Sequence, residues 1–293
     1  MKEIIHQVLE SVYGQPVTIQ HTRSVGGGSI NQTQALTLSN GENVFLKTNS
    51  HPPPNFFPAE AKGLELLRQA QGGPRIPKPL GMEPGSNPRF FLLEFVENSA
   101  PSNEFHLHFA EALAHMHRVT QESHGLDHDN YIGSTVQENT PEKNGLVFFR
   151  EHRLRFQQEL ARKAGKLPAQ VDQRLDRLCG KLETLLDATG EKPALLHGDL
   201  WSGNYFQASQ DRQPCIFDPA VYYGLRESDL AMTELFGRLP ESFYQAYHEA
   251  FPLNPGYEER RDLYNLYHML NHLNLFGSSY LSSVESIINR FTR

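Results

Sequence analysis

The chain has 293 residues, enough for one large domain or for two smaller lobes around a cleft. Its 27 Lys and Arg against 34 Asp and Glu give a formal net charge of −7 without any long basic tract, which argues against nucleic acid or an anionic membrane as a partner. The two cysteines, Cys179 and Cys215, lie far apart and match neither a metal-binding spacing nor a disulfide framework, which favours a reducing, cytoplasmic location.

The first stretch of the chain predicts one helix followed by three strands. Apolar residues recur at helical spacing over residues 1–14, and we do not interpret this acid-containing stretch as a signal peptide because it lacks a small-residue cleavage site. The β-branched residues of PVTIQHTRSV, QTQALTLS and NVFLKTN predict three strands. A glycine-rich turn separates the first two strands, and Asn40-Gly41 is a tight-turn signal between the last two. Together these segments predict an antiparallel meander.

A second helix is predicted over residues 58–70. Pro58 suits a first helical turn, apolar residues follow at helical spacing, and Gly72-Gly73-Pro74 provides a stop. Two further strands are predicted near residues 78–83 and 89–96. The resulting order of three strands, a helix and two strands describes a small N-terminal lobe over residues 1–96.

Helical periodicity dominates the rest of the chain. The predicted helices cover residues 105–120, 147–164, 169–189 and much of the chain from residue 240. Only PALLH, NYFQA and CIFDP resemble short strands in this region. We therefore predict an α+β protein with two lobes, in which residues 1–96 form a small antiparallel-sheet lobe with one key helix. Residues 97–293 form the larger, mainly helical lobe.

The stretch LLHGDLWSGNYF carries the strongest chemical signal. Asn204 follows Asp199 by five positions, and Asp218 ends an apolar strand fourteen residues later. This spacing suits phosphoryl transfer from a metal-bound nucleotide, in which one Asp orients the attacking hydroxyl while the Asn and the second Asp bind the metal. Mg²⁺ prefers hard oxygen ligands and takes few of them from the protein, which Asn204 and Asp218 satisfy.

The N-terminal lobe offers partners for the phosphates of a nucleotide. The glycine turn Gly26-Gly27-Gly28 lets backbone N–H groups approach phosphates, Lys47 on the third strand can pair with the α- and β-phosphates, and Glu60 on the next helix can hold Lys47. Each feature alone has an ordinary explanation, since a glycine turn is often only a turn and an acid suits a first helical turn. Their joint order is typical of kinases and predicts ATP and Mg²⁺ as cofactors.

The chain resembles the fructosamine kinase, or ketosamine kinase, family, a branch of the aminoglycoside-phosphotransferase-like kinases with a two-lobed, protein-kinase-like fold. The resemblance covers nearly the whole chain. Its motifs are VGGGSIN, EAKGLELL, NYIGST, LLHGDLWSGN and IFDPAVYYGLRESDLAM. Trp201 and the run YYGLRESDLAM distinguish this family from other small-molecule kinases.

The resemblance implies a role for each site residue. Asp199 would be the catalytic base, with Asn204 and Asp218 as metal ligands. Lys47 would contact the ATP phosphates and pair with Glu60. The adenine-binding hinge would be formed by Glu94, Phe95 and Val96. Residues that would support the catalytic loop are His197 and Asp229.

The sequence departs from related patterns at two places. The glycine turn is not the full G-x-G-x-x-G of protein kinases, and Ser29 stands where part of the family has a cysteine, which argues against thiol-based redox control. Asp218 is followed by Pro-Ala rather than Phe-Gly, which argues against an activation-loop switch of the protein-kinase kind.

The acceptor site is the least constrained part of the prediction. Trp201 either fills core or packs against a sugar-amine substrate, and Tyr223 and Arg226 either line the same pocket or serve packing roles. We predict phosphorylation of a ketosamine hydroxyl, with a role in deglycation, on a small molecule or a glycated protein amine. A monomer or weak homodimer is expected. The alternatives are an aminoglycoside or amino-alcohol kinase of the same fold, or a catalytically silent nucleotide-binding protein.

Overall fold

The structure is a computed structural model that describes residues 1–26, 30–186 and 191–292. In the N-terminal region the elements follow the predicted order. They are α1 (Lys2–Tyr13), β1 (Ile19–Ser24), β2 (Gln32–Leu38), β3 (Asn43–Thr48), α2 (Phe56–Leu67), β4 (Pro79–Met82) and β5 (Phe90–Glu94). Helix α2 begins two residues earlier than predicted, after Asn55, and ends before the Gly-Gly-Pro stop.

The five strands form one antiparallel sheet in the order β1-β2-β3-β5-β4. Strand β5 is buried on both faces, because Phe90 and Leu92 pack with α1 while Phe91 and Leu93 pack with α2. Such continuous apolar runs are expected of a strand covered on both sides. The sheet is thereby fixed between the two helices, and β3 carries the buried Lys47 one residue before the strand ends.

The middle of the chain adds short strands and several helices. They are β6 (Asn98–Ser99), α3 (Phe105–His117), β7 (Asn130–Ile132), β8 (Thr135–Gln137), α4 (Gly145–Phe148), α5 (Phe156–Lys163), α6 (Ala169–Gly180) and α7 (Leu182–Leu185). A π-helical segment, Phe149–Arg155, joins α4 to α5. The predicted helix over residues 169–189 is interrupted at Lys181, where the backbone leaves the helical region; residues 187–189 of that prediction lie outside the described chain.

The last third carries the functional turns and the longest helix. Its elements are β9 (Ala194–Leu196), β10 (Tyr205–Ala208), β11 (Pro214–Ile216), β12 (Tyr222–Gly224), α8 (Glu227–Leu235), α9 (Glu241–Ala250), α10 (Tyr257–Phe276) and α11 (Leu281–Thr292). A single 3₁₀ turn, Ser278–Tyr280, separates α10 from α11. Within the described chain, no helix combines the length and the apolar character that crossing a membrane requires.

The sequence-based prediction of only three strands after residue 97 is wrong. Strands β6, β7, β8 and β12 have two or three residues each, too few for a period-two pattern to emerge. Strand β12 pairs with β9, and β7 pairs with β8 in a hairpin. The α+β class and the sheet-then-helix order are confirmed, and α10 lies in the centre of the helical core with residues buried around most of its circumference.

Candidate active site

The turn between β9 and β10 brings Asp199 and Asn204 together. Gly198 has a φ of 82°, and a Cβ atom placed there would lie 2.0 Å from the carbonyl oxygen of Ala220, so the turn requires glycine. Asn204 donates a hydrogen bond from Nδ2 to the backbone oxygen of Asp199 at 2.8 Å. The two predicted functional side chains therefore face one another across a single short loop.

Asp229, near the start of α8, forms hydrogen bonds with the backbone of this turn. Its carboxylate accepts hydrogen bonds from the backbone N–H groups of His197 at 2.7 Å and Gly198 at 2.9 Å. His117 donates to the same carboxylate from Nε2 at 3.2 Å, and its Nδ1 accepts from the hydroxyl of Tyr247 at 2.7 Å. Burial alone would raise the pKa of Asp229, but the bond from His117 and its backbone donors lower it. Asp229 thus contacts the backbone of the turn that carries Asp199, where a supporting residue is expected.

Lys47 connects the two lobes. Its Nζ lies 2.5 Å from Oε1 of Glu60 on α2 and also contacts the carboxylate of Asp218. Burial alone would lower the pKa of Lys47, but Asp218 and Glu60 outweigh it and raise that pKa. The predicted Lys47–Glu60 pair is present, and its second partner is the residue proposed to bind metal.

Asp218 and Asn204 have the chemistry of a Mg²⁺ site. The backbone oxygen of Asp218 lies 3.5 Å from Nδ2 of Asn204, and the Oδ1 atom of Asn204 has no partner among the described residues. Within those residues, no group of three or more His, Cys, Asp or Glu is arranged to hold a metal. Two oxygen ligands fit an ion that completes its shell with phosphate and water oxygens, as Mg²⁺ usually does.

Asp199 has an electrostatic environment suited to a base. It lies half-buried on the cleft floor. Burial, together with the negative charges of Asp218 and Asp229, raises the pKa of the Asp199 carboxyl to about 7. A general base is most effective when its pKa lies near the working pH.

The side chain of His197, which is predicted to support the loop, is fully buried. Its Nε2 donates to the backbone oxygen of Phe217 at 2.9 Å, and its Nδ1 accepts from the backbone N–H of Asp199 at 3.2 Å. Burial lowers the pKa of His197, which keeps the ring neutral and able to make both contacts. The ring thus joins the loop to the segment that leads into Asp218.

The predicted nucleotide contacts are described only in part. Gly26 borders open space, while Gly27, Gly28 and the following Ser29 lie outside the described residues. At the predicted hinge, Glu94 accepts a hydrogen bond from Arg75 at 2.5 Å and from the backbone N–H of Lys78 at 3.1 Å. Phe95 lies beneath the guanidinium of Arg23, and Val96 packs with Ala208 and Cys215. Adenine binding by residues 94–96 remains a prediction.

A cleft of about 620 Å³ lies between the two lobes, and its floor includes Lys47, Asp199 and Asp218. Trp201 lines it as well, with its ring edge-to-face against Phe236 at 6.3 Å. The aromatic wall continues through residues that sequence analysis missed. They are Phe236, His272, Phe276 and Tyr280. The sequence feature that indicates this wall is the four-residue spacing of His272 and Phe276, which places both side chains on one helical face.

Two predicted acceptor residues do not lie in this cleft. Tyr223 is buried in the core on β12, where its backbone bonds Gly125. Arg226 is 3% exposed and donates to Glu191 at 2.7 Å and to the backbone oxygen of Pro252 at 2.5 Å. The prediction that Tyr223 and Arg226 line the acceptor pocket is therefore corrected to a packing role.

Comparison with known proteins gives a consistent result. The family model for fructosamine kinase matches residues 1–293. A probable ketoamine kinase of Synechocystis sp. is 40% identical over 293 residues, covering 99% of this chain and 97% of that protein. A chloroplastic protein-ribulosamine 3-kinase of rice is 39% identical over 285 residues, covering 96% of this chain and 81% of that protein.

Solved structures show the same fold. A crystal structure of a protein provisionally named a fructosamine-3-kinase, from Haemophilus somnus, matches with a TM-score of 0.89 at 30% identity, covering 100% of this chain and 98% of that one. The aminoglycoside phosphotransferase APH(4)-Ia matches with a TM-score of 0.61 at 14% identity, with 99% of both chains covered. The latter likeness concerns the fold alone.

Proposed function

The chain belongs to the fructosamine kinase family, and we propose that it uses ATP and Mg²⁺ to phosphorylate a sugar hydroxyl of ketosamines. Ketosamines are the adducts that form when a sugar glycates an amine. The relatives named ketoamine kinase and protein-ribulosamine 3-kinase support this substrate class. Phosphorylation of such adducts is consistent with a role in deglycation.

The observation that carries the proposal is the convergence of four side chains at one point of the cleft. Lys47 reaches across from the N-terminal lobe to contact Asp218 of the C-terminal lobe. Asn204 lies beside Asp218 and bonds the backbone of Asp199. Groups suited to bind phosphate, to bind metal and to accept a proton are thereby held together, as phosphoryl transfer requires.

The reaction follows from these positions. The acceptor hydroxyl attacks the γ-phosphorus, the bond to the β–γ bridging oxygen breaks, and the hydroxyl proton passes to Asp199. Lys47 binds the α- and β-phosphates, and Glu60 holds its amine in place. Mg²⁺, when bound by Asn204 and Asp218, supplies positive charge that offsets the charge of the transferred group.

The aromatic wall is the proposed binding surface for the acceptor. Trp201 lies two residues after the proposed base and faces the same cleft. Its indole offers a flat apolar face for the C–H surface of a sugar and attracts a nearby cation, such as a protonated amine. Phe236, His272 and Tyr280 extend this surface through contacts between their rings.

The remaining assignments complete the proposal. The lobes are residues 1–96 and 97–293, the adenine ring contacts the backbone of residues 94–96, and Gly26 with the two glycines after it approaches the phosphates. Both cysteines are free and buried, which supports a reducing compartment such as the cytoplasm. We expect a monomer or weak homodimer that acts on small ketosamines or on glycated protein amines.

The decisive experiment measures ADP release with a panel of acceptors, and ³¹P NMR identifies the phosphorylated product. We expect turnover of fructose–amine and ribulose–amine adducts and no dependence on added nucleic acid or membranes. Turnover of an aminoglycoside or amino alcohol but not of the adducts would instead establish the first alternative. ATP binding without turnover of any acceptor would establish a silent nucleotide-binding protein.

A further inference from the structure

The hairpin formed by β7 and β8 carries the motif NYIGST and has no role in the chemistry described above. Its first residue, Asn130, is paired with its last, Gln137, across the two strands. Both side chains are buried, with Gln137 only 1% exposed, and Asn130 borders the cleft. Buried amides of this kind need partners for all their polar atoms.

The partners are backbone carbonyls two and three residues after Asp218. Asn130 donates from Nδ2 to the oxygen of Val221 at 2.7 Å, and Gln137 donates from Nε2 to the oxygen of Ala220 at 2.9 Å. Gln137 also donates to Oδ1 of Asn130 at 2.8 Å. The two amides therefore hold two consecutive carbonyls and each other.

Further side chains fix the orientation of these amides. The hydroxyl of Tyr267 on α10 donates to Oε1 of Gln137 at 2.8 Å. Asn139 donates to Oδ1 of Asn130 at 3.0 Å, and buried Arg153 in turn donates to Asn139 at 2.8 Å. Because each acceptor atom already receives a donor, the Nδ2 and Nε2 atoms are committed to residues 220 and 221.

The segment that they hold has an unusual backbone. Asp218 has a φ of 55°, in the left-handed region that residues with a side chain rarely adopt. Such a conformation persists only where the surroundings over-determine it. Here the backbone N–H of Ala220 also donates to the oxygen of His197 at 2.9 Å, so Ala220 is bonded both by the hairpin and by the turn between β9 and β10.

We propose that Asn130 and Gln137 are positioning residues that keep the Asp218 carboxylate aimed at the metal. The inference rests on the proposed function, in which Asp218 is a metal ligand. The same hairpin also reaches the N-terminal lobe, because the hydroxyl of Tyr131 donates to the oxygen of Pro54 at 2.7 Å just before α2. The hairpin therefore contacts both the segment after Asp218 and the residues just before α2, the helix that carries Glu60.

The test compares Gln137→Leu with Tyr267→Phe. The first variant removes both donated bonds, and the second removes only the bond that Gln137 accepts. Each loses contacts in the same buried network, so both should lower the melting temperature. Binding of Mn²⁺ in the presence of a non-hydrolysable ATP analogue, followed by electron paramagnetic resonance, reports the metal site without turnover.

We expect the Mn²⁺ dissociation constant of Gln137→Leu to rise about 10- to 100-fold, the usual effect of losing a partner that orients a metal ligand. Tyr267→Phe should leave it near the wild-type value, because the two acceptor oxygens that face Nε2 still fix the orientation of the Gln137 amide. In kinetic assays Gln137→Leu should need more Mg²⁺ for half-maximal rate, while the ketosamine KM at saturating Mg²⁺ stays unchanged. An unchanged Mn²⁺ dissociation constant in Gln137→Leu, or an equal rise in both variants, would overturn the positioning role alone. Absence of Mn²⁺ binding in the wild type would overturn the proposed function as well.

Discussion

Asn204 donates from Nδ2 to the backbone oxygen of Asp199 at 2.8 Å, and this one bond ties the proposed base to a proposed metal ligand. It leaves the Oδ1 atom of Asn204 without a partner among the described residues. The amide can therefore maintain the loop and face a metal at the same time. An aspartate at position 204 would lose the donor while keeping the oxygens, so the two duties are separable in principle.

The first prediction concerns Asp199→Asn. The variant should fold normally, because the amide has nearly the shape of the carboxyl, yet turnover should fall about 10²- to 10⁴-fold with loss of the positioned base. Steady-state ADP release and the melting temperature are the measurements. Asp211→Asn, on an exposed loop, is the matched control and should retain full turnover. Near wild-type turnover in Asp199→Asn would refute the assignment.

The second prediction separates Lys47 from Glu60. Lys47→Ala removes the phosphate contact and leaves Glu60 and Asp218 without their shared cation, so kcat/KM for ATP should fall more than 10²-fold. Glu60→Gln keeps a hydrogen-bond acceptor and should show a smaller loss in the same constant. If Glu60→Gln is indistinguishable from wild type while Lys47→Ala abolishes activity, the pair has no catalytic importance.

The third prediction concerns the support beneath the catalytic loop. Asp229→Ala would leave the buried N–H groups of His197 and Gly198 unpaired, and each such group costs about 1–3 kcal/mol. We therefore expect a loss of about 2–6 kcal/mol in the free energy of unfolding, measured by urea titration. Glu65→Ala, which breaks only a surface pair with Arg68, should cost less than about 1 kcal/mol. Similar losses in the two variants would contradict the supporting role.

The sequence predicts the parts of the site that depend on local spacing. Asp199 and Asn204 share one turn, and Lys47 and Glu60 follow one another on a strand and the next helix, so short-range order places them. The aromatic wall is different, because His272 reaches the cleft only through the packing of α10 against the rest of the lobe. The sequence separation between Trp201 and His272 does not predict that both side chains line the same cleft.

The error at Tyr223 and Arg226 has a related cause. Both follow Asp218 closely in sequence, but closeness along the chain does not imply closeness to the substrate. Strand β12 instead turns into the core, and Arg226 is engaged by Glu191 and by the ring of Phe251 at 3.8 Å. A motif marks a neighbourhood of the chain but does not say which of its side chains face the cleft.

The fourth prediction concerns acid stability. Burial lowers the pKa of His268 on α10 to about 3, with a further lowering by His272. The unfolded chain takes up a proton near pH 6.5 while the folded chain does not, so stability is retained above pH 6.5 and lost as the pH falls below it. Each pH unit costs about 1.4 kcal/mol, which gives about 2 kcal/mol between pH 6.5 and 5.

Urea unfolding at pH 7 and pH 5 checks this prediction in the wild type and in His268→Gln. The variant lacks the titrating group. Its free energy of unfolding should therefore change by about 2 kcal/mol less between the two pH values than that of the wild type. Leu270→Ala on the same helix provides the control, because it removes buried contacts without removing a titrating group. An equal pH dependence in wild type and His268→Gln would show that the buried ring does not control acid stability.

The last prediction concerns selection of the acceptor by Trp201. The indole lies against Gly203, where a Cβ atom would come within 2.3 Å of the ring, and its edge meets Phe236. Its orientation in the cleft is therefore fixed before substrate binds. A ketosamine combines a polyhydroxy sugar with an amine that is usually cationic, and a fixed aromatic face suits both parts. Such a contact is worth about 0.5–2 kcal/mol.

Trp201→Leu should raise the KM for a fructose–amine adduct by about 2- to 30-fold, since 1.4 kcal/mol corresponds to a factor of ten. The KM for ATP should barely change, because the proposed nucleotide contacts come from Lys47 and the metal ligands rather than from the aromatic wall. Phe251→Leu, which alters a half-buried ring outside the cleft, should change neither constant. The wild type assayed on an aminoglycoside provides the specificity comparison. A change confined to the ATP constant would refute the stacking role, because an acceptor surface must affect the acceptor first.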